Sequence, residues 1–408
     1  MQDKLKETKG ITLVALIITV IILLILAGVT ISLVIGDNGL ITKSKQGVGE
    51  YQTRAEEEKA KLDEFEQGIK EKSTDNEDSK AMKILVNSGE DGIVKLPIGN
   101  SEKDFEIDWG DGNTGIKQED AMIINKRKIA SRSSIKIADQ IQEKEEGISH
   151  IYKEKNREYV IKIRGNLSEI DTYGVDSTEE KILKILQWGE INVISIDLSH
   201  CINLGEIANP TEKSFKDLRY ICFSNCTSLT SIPENLFANC PNVTEFYDTF
   251  GGCTSLTSIS ENLFANCPNA TNFEWTFAGC SLTSIPENLF ANCPNVTSFY
   301  YTFNGCSSLT SIPERLFANC PNVTIFGGTF ARCSNLTSIP ENLFANCPNV
   351  TKFDSTFYEC SNLTGNSIKL WSQTERKEKG IDENNGGMNC YYRCTKLTDY
   401  DEIPEYWK

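Results

Sequence analysis

The residue types that usually carry enzymatic chemistry are scarce in this sequence. The chain has two histidines, His150 and His200, which leaves little material for a histidine-based metal site or catalytic triad. Asp108 and Asp111 could form a carboxylate pair or a calcium site, but a turn whose carboxylates accept bonds from local backbone N–H groups explains them better. No nucleophile–base pair or phosphate loop stands out. We therefore predict a protein that is not an enzyme and binds no cofactor.

Cysteine is the one reactive residue type present in quantity. All 15 cysteines lie between Cys201 and Cys394. No CxxC pair occurs, and Cys222/Cys226 and Cys390/Cys394 are spaced by four with no histidine nearby, which argues against a metal site. Disulfide bonds between cysteines of successive units are the alternative. The regular spacing is better explained by a repeat in which each thiol fills a small buried space.

Length and charge restrict the remaining classes. A chain of 408 residues is too long for one compact core. The net charge is −16 and the pI about 4.8, which excludes the basic footprint that nucleic-acid binding requires.

The N-terminal part has the composition of a membrane segment followed by a spacer. Residues 11–35 carry no charge, and about 20 apolar residues are enough to span a bilayer as a helix. We predict a transmembrane α-helix over 11–36, a charged helical stalk over 37–72 and a polar linker over 73–80. Lysines before the helix favour a cytoplasmic N-terminus. This predicts a single-pass cell-membrane protein with its C-terminal region extracellular. A buried core helix is the alternative.

Lys9-Gly10-Ile11, followed by the long apolar run, resembles the leader of type IV prepilins. The resemblance implies that residues 1–10 are a leader, that a prepilin peptidase cuts after Gly10, and that Ile11 is then methylated. It also implies pilus components as partners. The family usually has Glu at the fifth mature position, where this chain has Ala15, and this departure argues against assembly into a pilus. A helix that stays uncleaved as an anchor is the alternative.

Residues 81–170 contain short runs that alternate apolar and polar residues, as half-buried strands do. A Trp-Gly-Asp-Gly turn follows the third run, and we expect Trp109 to enter the core. The predicted strands are 82–86, 92–98, 105–109 and 158–163.

Three motifs in this segment resemble those of the PKD (polycystic-kidney-disease) domain. They are Trp109-Gly110-Asp111-Gly112, His150-Ile151-Tyr152 and Tyr159-Val160-Ile161. The resemblance implies a β-sandwich over 81–170 that acts as a spacer or protein-contact module. The segment departs from the family by a charged insertion over 117–146.

The C-terminal half contains an internal repeat. Phe-Ala-Asn-Cys recurs in steps of 27, 26, 27 and 27 residues. This period indicates stacked supersecondary units, and a half-period of about 13 residues is too short to enclose a core. We therefore predict one coil per 27 residues, with Leu, Ile, Phe, Val and Cys pointing inward. Asn-x-Thr sequons at each Asn-Cys-Pro-Asn corner predict side chains that bond stacked backbone groups. The copies start at Phe237, Phe264, Phe290, Phe317 and Phe344.

The LTSIP and FxxCxxL blocks of this repeat resemble the BspA-like leucine-rich repeat family of bacterial surface proteins. The resemblance implies a right-handed solenoid of leucine-rich-repeat type over 227–365. Degenerate units extend the pattern into an N-terminal cap over 171–226 and a C-terminal capping repeat over 366–408. The predicted fold class is thus mainly β, a repeat solenoid plus a PKD-like β-sandwich, preceded by a long transmembrane α-helix.

Variation among the copies predicts where a ligand binds. The LTSIPENLFANCPN block hardly changes, whereas positions flanking the invariant Phe of VTxFxxTF do change. Alternating geometry places many of them at the surface, where stacked coils would align them about 4.7–4.9 Å apart. Drift at unconstrained positions is the alternative. The candidate ligand-binding residues are Tyr247, Asp248, Glu274, Trp275, Tyr300, Tyr301 and Asp354.

These patterns together predict an adhesin or ligand-binding module that works by surface contact. The expected partner is a host or neighbouring-cell surface protein or a glycan. A type IV pilin-like subunit that carries a repeat-type globular head is the alternative.

Overall fold

The computed structural model describes residues 78–408, with gaps. The chain divides into two compact units, Met1–Asp78 and Ser79–Lys408, and nearly all of the described residues belong to the second unit. The predicted leader, helix, stalk and most of the linker lie outside the described residues, as does nearly all of the insertion over 117–146. The gaps are 97, 99–104, 113–115, 118–147, 166, 168, 173–179 and 192.

Helices are short in the described chain. They are one α-helix, α1 (Thr374–Lys377), and three 3-10 turns at Leu370–Ser372, Tyr400–Glu402 and Glu405–Trp407. None of the helices among the described residues has the length and apolar character to cross a bilayer. This finding contradicts the predicted single-pass membrane location with an extracellular C-terminal region, and we withdraw that prediction. The apolar segment 11–36 on which it rested lies outside the described residues.

Strands are confined to the first part of the described chain. All four strands predicted there are confirmed, to within a few residues at each end. The described strands are β1 (Met82–Asn87), β2 (Ile93–Leu96), β3 (Phe105–Asp108), β4 (Ile116–Lys117), β5 (Ile148–Ile151), β6 (Glu158–Gly165), β7 (Glu169–Asp171), β8 (Ile182–Gln187), β9 (Ser195–Asp197), β10 (Glu206–Ile207) and β11 (Tyr220–Cys222).

One six-stranded sheet joins this part to the repeat, in the order β10-β8-β1-β6-β3-β4. Strand β1 pairs antiparallel with β6, so that Ile84 lies opposite Ile161, and its other edge pairs antiparallel with β8. A second, two-stranded sheet pairs β2 with β5. Strand β8 lies beyond the predicted boundary at residue 170, so the sheet continues into the segment assigned to the N-terminal cap. The PKD-like assignment stays a prediction.

The repeat stack begins before the first Phe-Ala-Asn-Cys copy. Strands β7, β9 and β11 form a parallel sheet in which Ile170, Ile196 and Ile221 are in register. All three side chains are buried. A parallel ladder whose successive strands lie one coil apart is the arrangement expected of a solenoid, and it shows that the degenerate units upstream of residue 227 already adopt coil geometry.

The core of the repeat consists of stacked phenylalanine columns. Phe237 stacks on Phe264 with ring centroids 5.7 Å apart and an interplanar angle of 7°, and Phe250 stacks on Phe277 at 5.7 Å and 9°. Thr276 is buried, and its hydroxyl donates to the carbonyl of Phe246 in the preceding coil. The inward-pointing residues predicted from the repeat are confirmed as buried, cysteines included, except Ile339, which is partly buried.

The repeat coils are made mostly of turns rather than of regular strands. On the VTxFxxTF side, each coil contributes one parallel bridge to the next, along the series Glu245, Asn272, Ser298, Ile325 and Lys352. Residues with positive φ bend the chain at two points in each coil. Backbone N–H groups between these points still donate to the next coil, as Phe250 N–H does to Thr276 O at 2.9 Å. The stacked turns of successive coils fit a repeat solenoid. That this solenoid is right-handed stays a prediction.

Candidate ligand-binding site

The candidate site is a surface of two parallel rows, which we call the ridge. It consists of the two residues that follow the first Phe of VTxFxxTF in each coil. The first row is Tyr247, Glu274, Tyr300, Gly327 and Asp354, and the second row is Asp248, Trp275, Tyr301, Gly328 and Ser355. All seven predicted ligand-binding residues lie on the ridge, six of them in three consecutive coils and Asp354 two coils further on.

The second row has a backbone conformation that the sequence does not predict. Trp275 and Tyr301 have φ of 59° and 54°, in the left-handed region, as does Gly328 at 62°. Side chains other than glycine lose about 1–2 kcal/mol in this region. The conformation is held by ladder bonds to the next coil, such as Trp275 N–H donating to Tyr300 O at 3.0 Å. Two large aromatic residues therefore occupy positions where glycine is less strained.

The aromatic rings of the ridge pack on each other. Trp275 and Tyr301 are stacked, with ring centroids 4.4 Å apart and an interplanar angle of 12°. Tyr300 meets the Tyr301 ring edge-on at 4.4 Å. A Cβ on Gly328 would lie within 2.6–2.8 Å of the Tyr301 ring, so glycine is needed there to seat that ring. The stack leaves Tyr247 and Tyr300 as the exposed rings, with 41% and 37% of their surface accessible.

Carboxylates alternate with the exposed rings. Glu274 lies between Tyr247 and Tyr300 in the first row, and its Oε1 accepts a bond from Ser298 Oγ at 2.7 Å. Burial, and then the charges of Asp248 and Glu274, raise the pKa of Tyr247 above its usual 10.0. Burial is also the main cause that raises the pKa of Tyr300. Both phenols are therefore neutral near pH 7 and can donate hydrogen bonds.

The two aspartates of the predicted site have further partners. Burial raises the pKa of Asp248, and repulsion by Asp197 adds to the rise, whereas a hydrogen bond from Ser224 opposes it. Asp354 Oδ1 accepts a bond from Met388 N–H at 2.8 Å, in the C-terminal cap. The structure thus gives Asp354 a role in closing the stack, while the residues from Tyr247 to Tyr301 form the compact part of the ridge. Gly10 and Ile11 lie outside the described residues.

A second aromatic pair on the last coils has its own cations. Tyr358 and Tyr392 are stacked at 4.9 Å, with the guanidinium groups of Arg332 and Arg393 at 5.8 Å and 5.3 Å from their respective ring centroids. Glu359 accepts from both arginines, at 3.3 Å and 2.9 Å. We call this group the arginine cluster. The predictions from sequence did not include it, although Arg332 and Glu359 stand where earlier coils have glycine before Cys.

The thiols are buried in every coil, as predicted. All 15 cysteines are free and buried. The cysteines that lie three residues after the second Phe of VTxFxxTF donate to the carbonyl of a Phe in the preceding coil, as Cys306 Sγ does to Phe277 O at 3.2 Å. The cysteines of the Phe-Ala-Asn-Cys set make longer contacts, such as Cys293 Sγ to Phe264 O at 3.8 Å. Burial raises the pKa of Cys293 and of Cys306 to about 12, which keeps both thiols protonated and unreactive in the fold.

The predicted asparagine corner is also confirmed. Asn295 Nδ2 donates to Pro268 O, and Asn322 Nδ2 donates to Pro294 O, both at 3.0 Å. A groove of about 1160 Å³ runs along this corner, lined by the repeated Ala, Asn and Pro residues. None of its lining residues belongs to the ridge. Several of its asparagines already bond the neighbouring coil, as Asn292 does through Ala265 O, which leaves few polar groups for a ligand.

The motifs of the PKD resemblance meet in space. His150 stacks on Trp109 at 4.9 Å, and the Tyr152 hydroxyl donates to Trp109 O at 2.8 Å. Asp108 Oδ1 accepts from Gly110 N–H at 3.0 Å, as the turn prediction requires. Asp111 departs from that prediction, because its Oδ2 lies 2.8 Å from His150 Nε2. Among the described residues, no group of three or more His, Cys, Asp or Glu side chains could hold a metal ion.

Comparison with known proteins places the repeat in a family. No curated protein matches the chain. A family model described as "BspA type Leucine rich repeat region" matches residues 227–351 in six copies. Residues 227–351, which include the ridge residues from Tyr247 to Gly328, are therefore a BspA-type leucine-rich repeat region.

Proposed function

We propose that this protein is a non-catalytic binding protein, an adhesin or ligand-binding module, whose solenoid holds a protein or a glycan on the ridge. The observation that carries the proposal is the pair Trp275 and Tyr301, two large aromatic residues in left-handed backbone at the positions that vary between coils. Strained residues that persist at such positions are typical of functional sites.

Exposure and chemistry support the same assignment. Aromatic side chains supply large contact areas and a polar tip, and they dominate binding energy at protein interfaces. Tyr247 and Tyr300 are the exposed aromatic side chains of the ridge, and the carboxylate of Glu274 lies between them. By contrast, the side chains of the repeated corner are engaged in contacts between coils.

The test is a triple substitution, Trp275→Ala, Tyr300→Ala and Tyr301→Ala, in the full chain. Binding of each variant to intact cells, to a glycan array and to a panel of purified proteins is compared with wild type. We expect loss of binding to the ligand class that wild type recognises, because the stacked rings of the ridge are removed. The matched control is Tyr358→Ala with Tyr392→Ala, which removes a stacked pair at 4.9 Å elsewhere on the solenoid. Equal binding by the triple variant, with the fold intact by circular dichroism, would refute the proposal.

The sheets preceding the solenoid are proposed to act as a spacer or protein-contact module of PKD-like type. The support is the cluster in which Trp109, His150 and Tyr152 meet, since the three positions come from separate motifs of that resemblance. The alternative of a pilin-like subunit rests on Gly10 and Ile11, outside the described residues, and no feature of the described residues favours it.

A further inference from the structure

We infer that the ridge binds a cationic side chain, lysine or arginine, presented by a basic polypeptide segment. The inference rests on the proposed binding function and names its ligand class. It starts from the charge of the coils that carry the ridge. Between Arg219 and Arg315 the chain has no Lys or Arg, while seven Asp and Glu residues lie in that interval. The coils around Trp275 therefore present uncompensated negative charge.

The ridge places this charge beside aromatic rings. Glu274 lies between two exposed tyrosines in the first row, and only its Oε1 has a hydrogen-bond partner among the described residues, Ser298 Oγ at 2.7 Å. Asp248 adjoins Tyr247 at one end of the same surface. A carboxylate flanked by aromatic rings is the environment that binds ammonium and guanidinium groups, through ion pairing and cation–π attraction.

The arginine cluster of the same solenoid shows this chemistry completed within the chain. There Glu359 accepts from Arg332 and Arg393, and the two guanidinium groups lie over Tyr358 and Tyr392. The ridge has the rings and the carboxylate but no Lys or Arg in its coils up to residue 314. A partner that supplies the cation would complete the same arrangement.

The stacking geometry favours a polypeptide over a neutral glycan. Sugars bind aromatic side chains through the flat ring face, but the Trp275 and Tyr301 faces are stacked on each other at 4.4 Å and 12°. Gly328 lies against the Tyr301 ring on the next coil. The stack covers ring faces of Trp275 and Tyr301 that a sugar would need, whereas the exposed Tyr247 and Tyr300 rings lie beside carboxylates, which attract cationic donors.

The test uses a fluorescent octapeptide in which arginine alternates with glycine, and a matched peptide in which every arginine is replaced by citrulline, its neutral isostere. Binding to the full chain is measured by fluorescence polarisation at about 0.15 M salt, where the Debye length is about 8 Å and long-range attraction is screened. We expect the arginine peptide to bind and the citrulline peptide to bind at least about tenfold more weakly.

Two variants of equal charge locate the site. Glu274→Gln should weaken binding of the arginine peptide about tenfold, because it removes the carboxylate between the rings. Glu261→Gln removes the same charge from a glutamate outside the ridge that accepts from Asn288, and we expect it to change the affinity less than about twofold. Equal losses in both variants, or equal binding of the two peptides, would overturn the inference.

These binding measurements also distinguish a failure of this inference from a failure of the proposed function. If neutral oligosaccharides bind wild type and not the Trp275, Tyr300 and Tyr301 triple variant, the ridge is a binding site and the basic-segment inference is wrong. If the triple variant binds every probe as wild type does, both proposals fail.

Discussion

At the scale of single residues, the ridge is a place where side-chain identity conflicts with local stability. Asp248 shows the conflict most directly, because it has φ of 52° and a carboxylate that burial keeps from full solvation. Asn adopts the left-handed conformation at least as readily as Asp and carries no charge. The identity of the side chain at this position therefore lowers the stability of the fold, and we expect it to serve contact with a ligand.

Asp248→Asn should therefore raise the stability of the fold at neutral pH and weaken ligand binding. The pKa of Asp248 is raised in the fold, so the native state holds this proton more tightly than the unfolded state does. Ionisation at neutral pH then costs stability, and the stabilising effect of Asn should shrink as pH falls toward 3.8, the ordinary value, and vanish below it. Thermal unfolding of both proteins between pH 8 and pH 4 measures this. A difference that does not change over that range would contradict the assignment.

The sequence predicted positions along the ridge but not the conformation of these residues. The Phe-Ala-Asn-Cys step fixes which residues lie side by side in successive coils, since each coil must bury the same set. The left-handed backbone at Trp275 is imposed by bonds to the next coil, and local preference opposes it. The one available signal was Gly328, which shows that this position in the coil suits glycine. The contact of Asp354 with Met388 had no signal, because the cap does not follow the repeat.

At the scale of elements, the ends of the stack determine whether the coils stay closed. The last Phe-Ala-Asn-Cys copy has no following copy to cover its carbonyls. Arg376 in α1 covers two of them, donating from Nη1 to Cys347 O at 2.6 Å and from Nη2 to Phe344 O at 2.8 Å. Its guanidinium also lies 5.5 Å from the Phe353 ring centroid. A solenoid needs such a cap to seal its core.

Arg376→Met should destabilise the protein by about 2–4 kcal/mol, because two buried carbonyls lose charged donors. Arg376→Lys should restore little of this, since an ammonium cannot reproduce the planar two-pronged contact. Urea unfolding followed by circular dichroism measures the change. The control is Arg393→Met, whose side chain is 64% exposed and which we expect to change the stability far less than Arg376→Met does. Equal effects of the two Met substitutions would contradict a capping role for Arg376.

The pairing of β8 with β1 is a second feature of element scale that local sequence did not reveal. Each strand was readable from its own residues, but register between strands roughly a hundred residues apart depends on which edges remain open. The boundary predicted at residue 170 was placed from the motifs of the PKD resemblance. The sheet extends past this boundary through β8.

At the scale of the whole molecule, the free thiols make the repeat sensitive to alkali. The fold raises the pKa of thiols such as Cys240 and Cys347 from 9.0 to about 12. Below pH 9 both folded and unfolded thiols are protonated, so the full stability is present. Above pH 9 the unfolded chain loses protons first, and each thiol then removes about 1.4 kcal/mol of stability per pH unit.

With 14 buried thiols of raised pKa acting together, unfolding should occur within about one pH unit above 9. Circular dichroism during a titration from pH 7 to pH 11 under reducing conditions measures the midpoint. Iodoacetamide should label the thiols in step with that loss of structure. Stability that is unchanged up to pH 11 would show that the cysteines are not buried as free thiols.

The central claim is that the ridge is kept for binding and that the solenoid does not need its rings to fold. The most direct measurement replaces Tyr300 and Tyr301 by Gly and Gly, the pair that the next coil has at 327 and 328. Thermal unfolding and binding to the arginine octapeptide and to neutral oligosaccharides are measured on the same preparation. We predict a melting temperature within a few degrees of wild type, because relief of left-handed strain offsets lost ring packing, together with loss of ligand binding. Unchanged binding, or loss of binding only as the protein unfolds, would contradict the claim.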